Sequence, residues 1–240
     1  VNAEAYNAFL KGVFHVERFT PEDIRSAARH FEWAAEIDPE FALAHWGLGK
    51  LCLFQAQIGM LTPEQAHAQC LPPVLKALEL DPFLPEAHFG LAGILTWHQF
   101  DWKAARPHWE RAIELSPSYA EAHIFYSHYL GIIGELDKSK EHAELAVELD
   151  PNNPFTLGLY GVQLSMCDEF EKALDIAERA LSMAPGYAFA YRARLLAHIG
   201  LGNEEEVIQV VADIIRSVGN TEIADVFEST YRNNGFEATM

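Results

Sequence analysis

The sequence has few cysteines and few basic residues. Cys52, Cys70 and Cys167 are the three cysteines among 240 residues. They fit neither a disulfide framework nor a CxxC zinc site, so we expect three buried thiols. Lys and Arg number 17 against 35 Asp and Glu, which gives a formal net charge of −18. This charge repels phosphate backbones and anionic headgroups, and it argues against nucleic acid as a partner.

Long apolar runs are also lacking. No stretch approaches the roughly 20 uninterrupted apolar residues that cross a bilayer, and no signal peptide is evident. We therefore expect no membrane insertion and a cytoplasmic location. The chain begins at Val1 instead of a methionine, which suggests a piece of a longer or processed protein. Half of the residues are apolar and 22% are charged, so a folded chain with a long core is expected.

One short phrase recurs along the chain, consisting of Ala, four residues and then Pro. Its prolines are Pro39, Pro82, Pro117, Pro151 and Pro185, spaced by 43, 35, 34 and 34 residues. Each phrase carries an apolar stripe at helical spacing and then a proline that cannot continue the helix. Small residues recur between the phrases, where two helices must approach closely. They are Gly49, Ala92, Ser127 and Gly161.

This repetition predicts an all-α fold, a right-handed α-solenoid of about six helix pairs followed by a C-terminal capping helix. We expect at least twelve helices, no sheet, and a single domain over residues 1–240. The first and last pairs are degenerate, as terminal caps usually are. The predicted repeats are 3–40, 41–83, 84–118, 119–152, 153–186 and 187–219, with the cap at 221–233.

The period of 34 and the words AAEIDP, ALELDP, AIELSP, AVELDP and ALSMAP resemble the tetratricopeptide repeat (TPR) family over nearly the whole chain. The opening, AYNAFLKGVFHVERFTPEDIRSAARHFEWAAEIDP, resembles the first repeat of the C-terminal TPR arrays of bacterial signalling proteins. Those proteins carry a winged-helix, adenylate cyclase or Ser/Thr kinase domain upstream, and none of these domains is present in this sequence. The resemblance implies a scaffolding or sensory region that binds another protein.

The second pair departs from the period. Cys52 and Cys70 are 18 residues apart, where a regular repeat would separate them by nine, so nine residues are inserted. The insertion contains Thr62-Pro63-Glu64, a favourable helix start. We expect it to lengthen the pair or to add a short turn. Prolines inside predicted second helices should kink them or delay their start. These prolines are Pro72, Pro73 and Pro107.

The eleven histidines raise the possibility of a metal site. His45, His88 and His123 share one slot in three first helices, but adjacent helices lie roughly 8 to 10 Å apart, too far for the three to converge on one ion. We expect packing residues and no metal. No phosphate loop, nucleophile elbow or zinc-protease motif occurs, so we expect neither an enzyme nor a cofactor. A metal- or substrate-binding accessory to an enzyme stays a remote alternative.

The superhelix of a TPR array turns one face of each first helix toward a groove, which the resemblance makes the candidate site. A ligand with apolar anchors and basic flanks is expected, because the groove carries little charge and lacks the Lys and Asn set that clamps a carboxylate tail. Two alternatives stay open: the rings belong to the core or are covered by a missing flanking segment, or the chain forms a homodimer. The predicted groove residues are Trp46, Lys50, Phe89, Gly93, Ile124, His128, Val162, Ser165 and Arg192.

Overall fold

The computed structural model describes residues 2–16, 21–57, 60–236 and 239. The described residues form thirteen α-helices and no strand, which confirms the all-α prediction of at least twelve helices. The chain divides into two compact units, Val1–Pro117 and Ser118–Met240. The first unit contains α1 (Ala3–Val16), α2 (Pro21–Ile37), α3 (Ala42–Gln57), α4 (Pro63–Leu80), α5 (Pro85–Trp97) and α6 (Trp102–Leu115). The second contains α7 (Ala120–Ile132), α8 (Leu136–Leu149), α9 (Pro154–Met166), α10 (Phe170–Met183), α11 (Ala188–Leu201), α12 (Glu204–Ser217) and α13 (Thr221–Asn234).

Within each unit, successive helices pack as pairs and the pairs stack on one another in the manner of an α-solenoid. In the second unit α9 packs on α7 and α8, and α11 packs on α9 and α10. The repeated alanine of each phrase is fully buried at this packing surface, because a larger side chain would separate the helices. These alanines are Ala34, Ala77, Ala112, Ala146 and Ala180.

Large rings fill the space that the small residues leave. Phe31 on α2 is fully buried between α1 and α3. A Cβ atom added to Gly12 or to Gly47 would lie 2.4 Å from an atom of the Phe31 ring. Glycine is therefore required at both positions by the close approach of the ring.

The recurring proline ends each pair as predicted. The C-cap residues Asp81, Ser116 and Asp150 leave the helix with φ of −140°, −140° and −139°. Each of these residues is followed by a proline of the phrase. A residue before proline is biased away from the helical region, so the chain turns there.

The insertion in the second pair lengthens both of its helices. α3 has 16 residues and α4 has 18, compared with 13 and 14 in the next pair. Thr62 caps α4 in a capping box with Gln65, which confirms the predicted helix start. Residues 58 and 59 of the insertion lie outside the described residues.

Kinks or late helix starts were expected at three prolines, and the late starts do not occur. α4 runs through Pro72 and Pro73 from its start at Pro63, and α6 runs through Pro107. In α6 the Asp101 side chain accepts a hydrogen bond from the backbone N–H of Ala104, which stabilises the helix start ahead of the proline.

The structure also corrects the prediction of three buried thiols. Cys52 on α3 and Cys70 on α4 form a disulfide, with their Cα atoms 5.2 Å apart. Cys167 is free and half-buried. The two lengthened helices pack side by side, and this brings together two cysteines that the sequence separates by 18 residues.

Candidate binding surface

Six of the nine predicted groove residues are buried. The exposed fraction is 3% for Trp46, 8% for Phe89, 0% for Ile124 and 1% for Val162, and Gly93 and Ser165 are buried as well. The Trp46 and Phe89 rings meet edge to face with centroids 6.0 Å apart. The expected open aromatic groove on these four large side chains is therefore wrong, and they belong to the core.

The burial has a simple geometric cause. Each residue of an α-helix is rotated by about 100° from the previous one, so consecutive side chains point in different directions. A neighbouring first helix can therefore cover one side chain and leave the next one exposed. The Trp46 ring reaches the next first helix, where a Cβ atom on Gly90 would lie 2.3 Å from the ring. Similarly, a Cβ atom on Gly161, beside Val162, would lie 2.8 Å from the Cβ of Ala193.

The other three predicted residues are accessible. Lys50 is half-buried on α3, His128 is half-buried on α7, and Arg192 is exposed on α11. Burial, and then the positive charge of Arg192, lowers the pKa of His128 to about 4. His128 is therefore a neutral imidazole at neutral pH. His128 and Arg192 lie on α7 and α11, which both pack on α9, and they begin a candidate face of the second unit.

Residues that the sequence analysis missed complete this face. Ile132 and Met166 are each 37% exposed at the ends of α7 and α9. They are 34 residues apart and hold the same slot in successive first helices. Adding a Cβ atom to Gly131 would place it 3.1 Å from the Met166 methyl carbon, so Met166 reaches across to α7. The 34-residue interval was the signal that could have identified the pair.

A row of half-buried rings crosses the starts of α9 and α11. Phe155 lies with its ring centroid 5.5 Å from that of Phe189, and 5.2 Å from that of Phe125 on α7. Phe155 and Phe189 are again 34 residues apart. We call the accessible side chains of α7, α9 and α11 the first-helix face. Its members are His128, Ile132, Phe155, Met166, Phe189 and Arg192.

A buried polar network holds the helices beneath this face. The Gln163 side-chain amide donates to Ser139 Oγ at 3.0 Å, and Ser139 Oγ donates to the Ser127 carbonyl at 2.7 Å. All three residues are at most 2% exposed. Because a buried polar group is costly when unpaired, this network favours one arrangement of α7, α8 and α9.

Two of the three histidines that share a slot in the first helices form hydrogen bonds to the preceding turn. His45 Nε2 lies 2.9 Å from the Pro39 carbonyl oxygen, and His88 Nε2 lies 3.1 Å from that of Pro82. His88 Nδ1 is also 3.0 Å from His108 Nδ1, and His123 Nδ1 is 2.9 Å from His142 Nδ1. These distances place the histidines as packing residues between helix and turn or between paired helices.

Two kinds of site are absent from the described residues. Within 2–16, 21–57, 60–236 and 239, no group of three or more His, Cys, Asp or Glu side chains could hold a metal ion. In the same part of the chain, no helix is both long enough and apolar enough to span a membrane.

Comparison with known sequences gives distant similarity to a transcriptional regulator of three Salmonella strains. No protein-family profile matches the chain. The transcriptional regulator HilA of Salmonella typhimurium is 24% identical over 131 residues, which are 55% of this chain and 24% of the regulator. This chain therefore matches about a quarter of the length of that relative.

Several solved structures are similar in fold. The human IFIT1 dimer with m7Gppp-AAAA gives a TM-score of 0.77 at 16% identity, over 97% of this chain and 55% of that one. TTC0263, a TPR protein of Thermus thermophilus, gives 0.61 at 17% identity, over 82% of this chain and 98% of that one. YrrB, a TPR protein with an unusual peptide-binding site, gives 0.50 at 19% identity, over 83% and 97%.

Proposed function

Because the chain has the tetratricopeptide-repeat fold, we propose that it is a protein- or peptide-binding scaffold or regulatory module that holds its ligand on the first-helix face. The observation that carries this proposal is the exposure of Ile132 and Met166 at one slot of successive first helices. Solubility does not require apolar side chains at a repeated position, whereas apolar anchors dominate the energy of most interfaces.

The proposed ligand inserts apolar side chains against Ile132 and Met166 and against the Phe155 and Phe189 rings. His128, on the same face, supplies a polar contact that orients the ligand. The formal charge of −18 favours basic flanks on the ligand. The proposed ligand has the apolar anchors and basic flanks that were expected from the sequence. Its anchors contact the exposed residues of the first-helix face instead of the buried side chains of the predicted groove.

We also propose that the module serves a larger bacterial signalling protein and performs no catalysis itself. The first part is supported by the similarity to a transcriptional regulator, of which this chain matches 24%. Reading the gene on both sides of the segment that encodes this chain tests it. An open reading frame that encodes no DNA-binding, cyclase or kinase domain would contradict the signalling part.

The binding proposal is tested with the whole chain as bait and with the double variant I132D/M166D. A ligand recovered by the parent chain is measured by calorimetry against both proteins. Two carboxylates in an apolar contact should weaken binding by about 2 kcal/mol or more, which is roughly 30-fold.

Glu148→Ala is the matched control, because Glu148 is exposed on the second helix α8, away from the first-helix face. Circular dichroism establishes that all variants are folded. If I132D/M166D binds as tightly as the parent while Glu148→Ala binds weakly, the ligand occupies the second-helix surface and the proposal is wrong.

A further inference from the structure

α11 carries an apolar row on the side where a following first helix would pack. Tyr191, Leu195 and Ile199 are spaced by four residues and therefore share one face of α11. The matching residues of α9, 34 positions earlier, are Leu157, Gly161 and Ser165, and α11 covers them. Ile199, in contrast, is 52% exposed.

The next first helix, α13, does not cover this row. Among the described residues α13 packs on α12 and makes no contact with α11. Two substitutions in the repeat pattern explain the gap. Leu195 stands where α9 has Gly161, and Ile214 stands where α10 has Ala180. Both larger side chains occupy the space into which a close-packed helix would fit.

α13 itself is also bulky where α11 is small. α11 packs on α9 through Ala193 and Ala197, which are fully buried, and α13 has Phe227 and Tyr231 at the matching positions. Arg216 on α12 further holds α13 in place, with its guanidinium 2.8 Å from Glu228 and 3.1 Å from Asp225.

An apolar crevice therefore lies open along α11 and α12. A cavity of about 250 Å³ at one end is lined by Tyr191, Leu195, Ile214 and Val218, with Arg192 as its charged residue. A second cavity of about 180 Å³ lies at the other end of α11 and is lined by Ile199, Val207, the acidic Glu204 and Phe236 of the chain's own C-terminal segment.

α13 also has an outward face that nothing covers in the described structure. Ile223 is 57% exposed and Val226 is 63% exposed, and they lie three residues apart on one side of the helix. Glu222, next to Ile223, is exposed as well. The outward face thus combines two apolar side chains with a carboxylate, and the first cavity combines an apolar lining with the exposed Arg192.

We propose that two copies of this chain form a symmetric dimer, in which the outward face of α13 of each copy fills the α11–α12 crevice of the other. The two surfaces match in chemistry, because apolar side chains meet apolar side chains and Glu222 meets Arg192. Each copy carries both surfaces, so a two-fold axis that seats α13 of one copy in the crevice of the other also forms the reciprocal contact and closes the assembly.

The occupant is a second copy and not the α13 of the same chain. The ion pairs of Arg216 hold that helix on α12, with Ile223 and Val226 turned outward. A contact through the other exposed apolar row, Tyr6, Leu10 and Phe14 on α1, would join two different surfaces and would not form a symmetric dimer.

Sedimentation of the whole chain between roughly 1 and 100 μM tests the proposal. The parent should form a dimer, and Val226→Asp should weaken the dimer by about 30-fold or more. Arg192→Glu and Glu222→Arg should each weaken it, and the double charge exchange R192E/E222R should restore most of the affinity.

Leu10→Asp is the matched control, since it places a carboxylate in the exposed row of α1 and should leave the dimer unchanged. Circular dichroism establishes the folding of each variant. A monomer at every concentration, a Val226→Asp variant that sediments like the parent, charge variants without mutual rescue, or dissociation by Leu10→Asp would each overturn the proposal.

Discussion

Acidification should destabilise this protein through two histidines that are neutral when folded. The pKa of His142 falls from 6.5 to about 4, because of burial first and then the nearby His123 and Lys138. The pKa of His128 also falls to about 4, because of burial and then Arg192. In the pair of His123 and His142 the two Nδ1 atoms are 2.9 Å apart, so one nitrogen donates a hydrogen and the other accepts it.

The sign follows from proton uptake. Between pH 4 and pH 6.5 the unfolded chain binds protons on these histidines and the folded chain does not. Their contribution to stability is therefore fully present above about pH 6.5 and is lost as the pH falls toward about 4. A shift from 6.5 to about 4 corresponds to an upper limit of about 3.4 kcal/mol for His142. Because this side chain is only half-buried, solvent screening reduces the expected effect to about 1.5 kcal/mol.

The measurement is urea unfolding followed by circular dichroism at about pH 7 and about pH 4.5. His142→Gln removes one of the titrating groups, so it should lose about 1.5 kcal/mol less stability than the parent over this interval. Gln69→Ala, at an exposed position on α4 and without a titrating group, is the control and should follow the parent. If the parent and His142→Gln lose the same free energy on acidification, the shifted pKa of His142 does not contribute and the reasoning fails.

Three further predictions concern stability. Cys70→Ser should lower the free energy of unfolding by about 3 kcal/mol, as expected for the loop of 18 residues that the disulfide closes. A reducing agent should destabilise the parent and leave the stability of the variant unchanged. Gly90→Ala should lower the free energy of unfolding by about 2 kcal/mol, because its Cβ would lie 2.3 Å from the Trp46 ring. Gly93→Ala should lower it by less than about 1 kcal/mol, because its Cβ would lie 3.3 Å from Trp97. Equal urea midpoints for the two variants would contradict this prediction. The predicted single domain over residues 1–240 should unfold in one calorimetric transition, and two resolved transitions would show that the two units are independent.

The sequence by itself determined the helix pairs and most of their limits. Proline excludes a continued helix wherever it follows the repeated phrase, so the turns after Asp81, Ser116 and Asp150 depend on local chemistry alone. The capped start at Thr62 is local for the same reason. The irregular last repeat was also readable, because Leu195 and Ile214 occupy slots that are small in the other pairs.

Only the tertiary structure decided which side chains reach solvent. Ile124 and Val162 have the apolar character of binding anchors, but the following helices cover them completely or nearly so, while Ile132 and Met166 stay exposed. Periodicity places a residue on a face of its own helix, and the position of the neighbouring helix then determines whether that face is covered. The same holds for the disulfide of Cys52 and Cys70, which exists because two lengthened helices pack side by side. The crevice beside α11 is likewise a tertiary feature, because it is open only where α13 packs on α12 and leaves α11 uncovered.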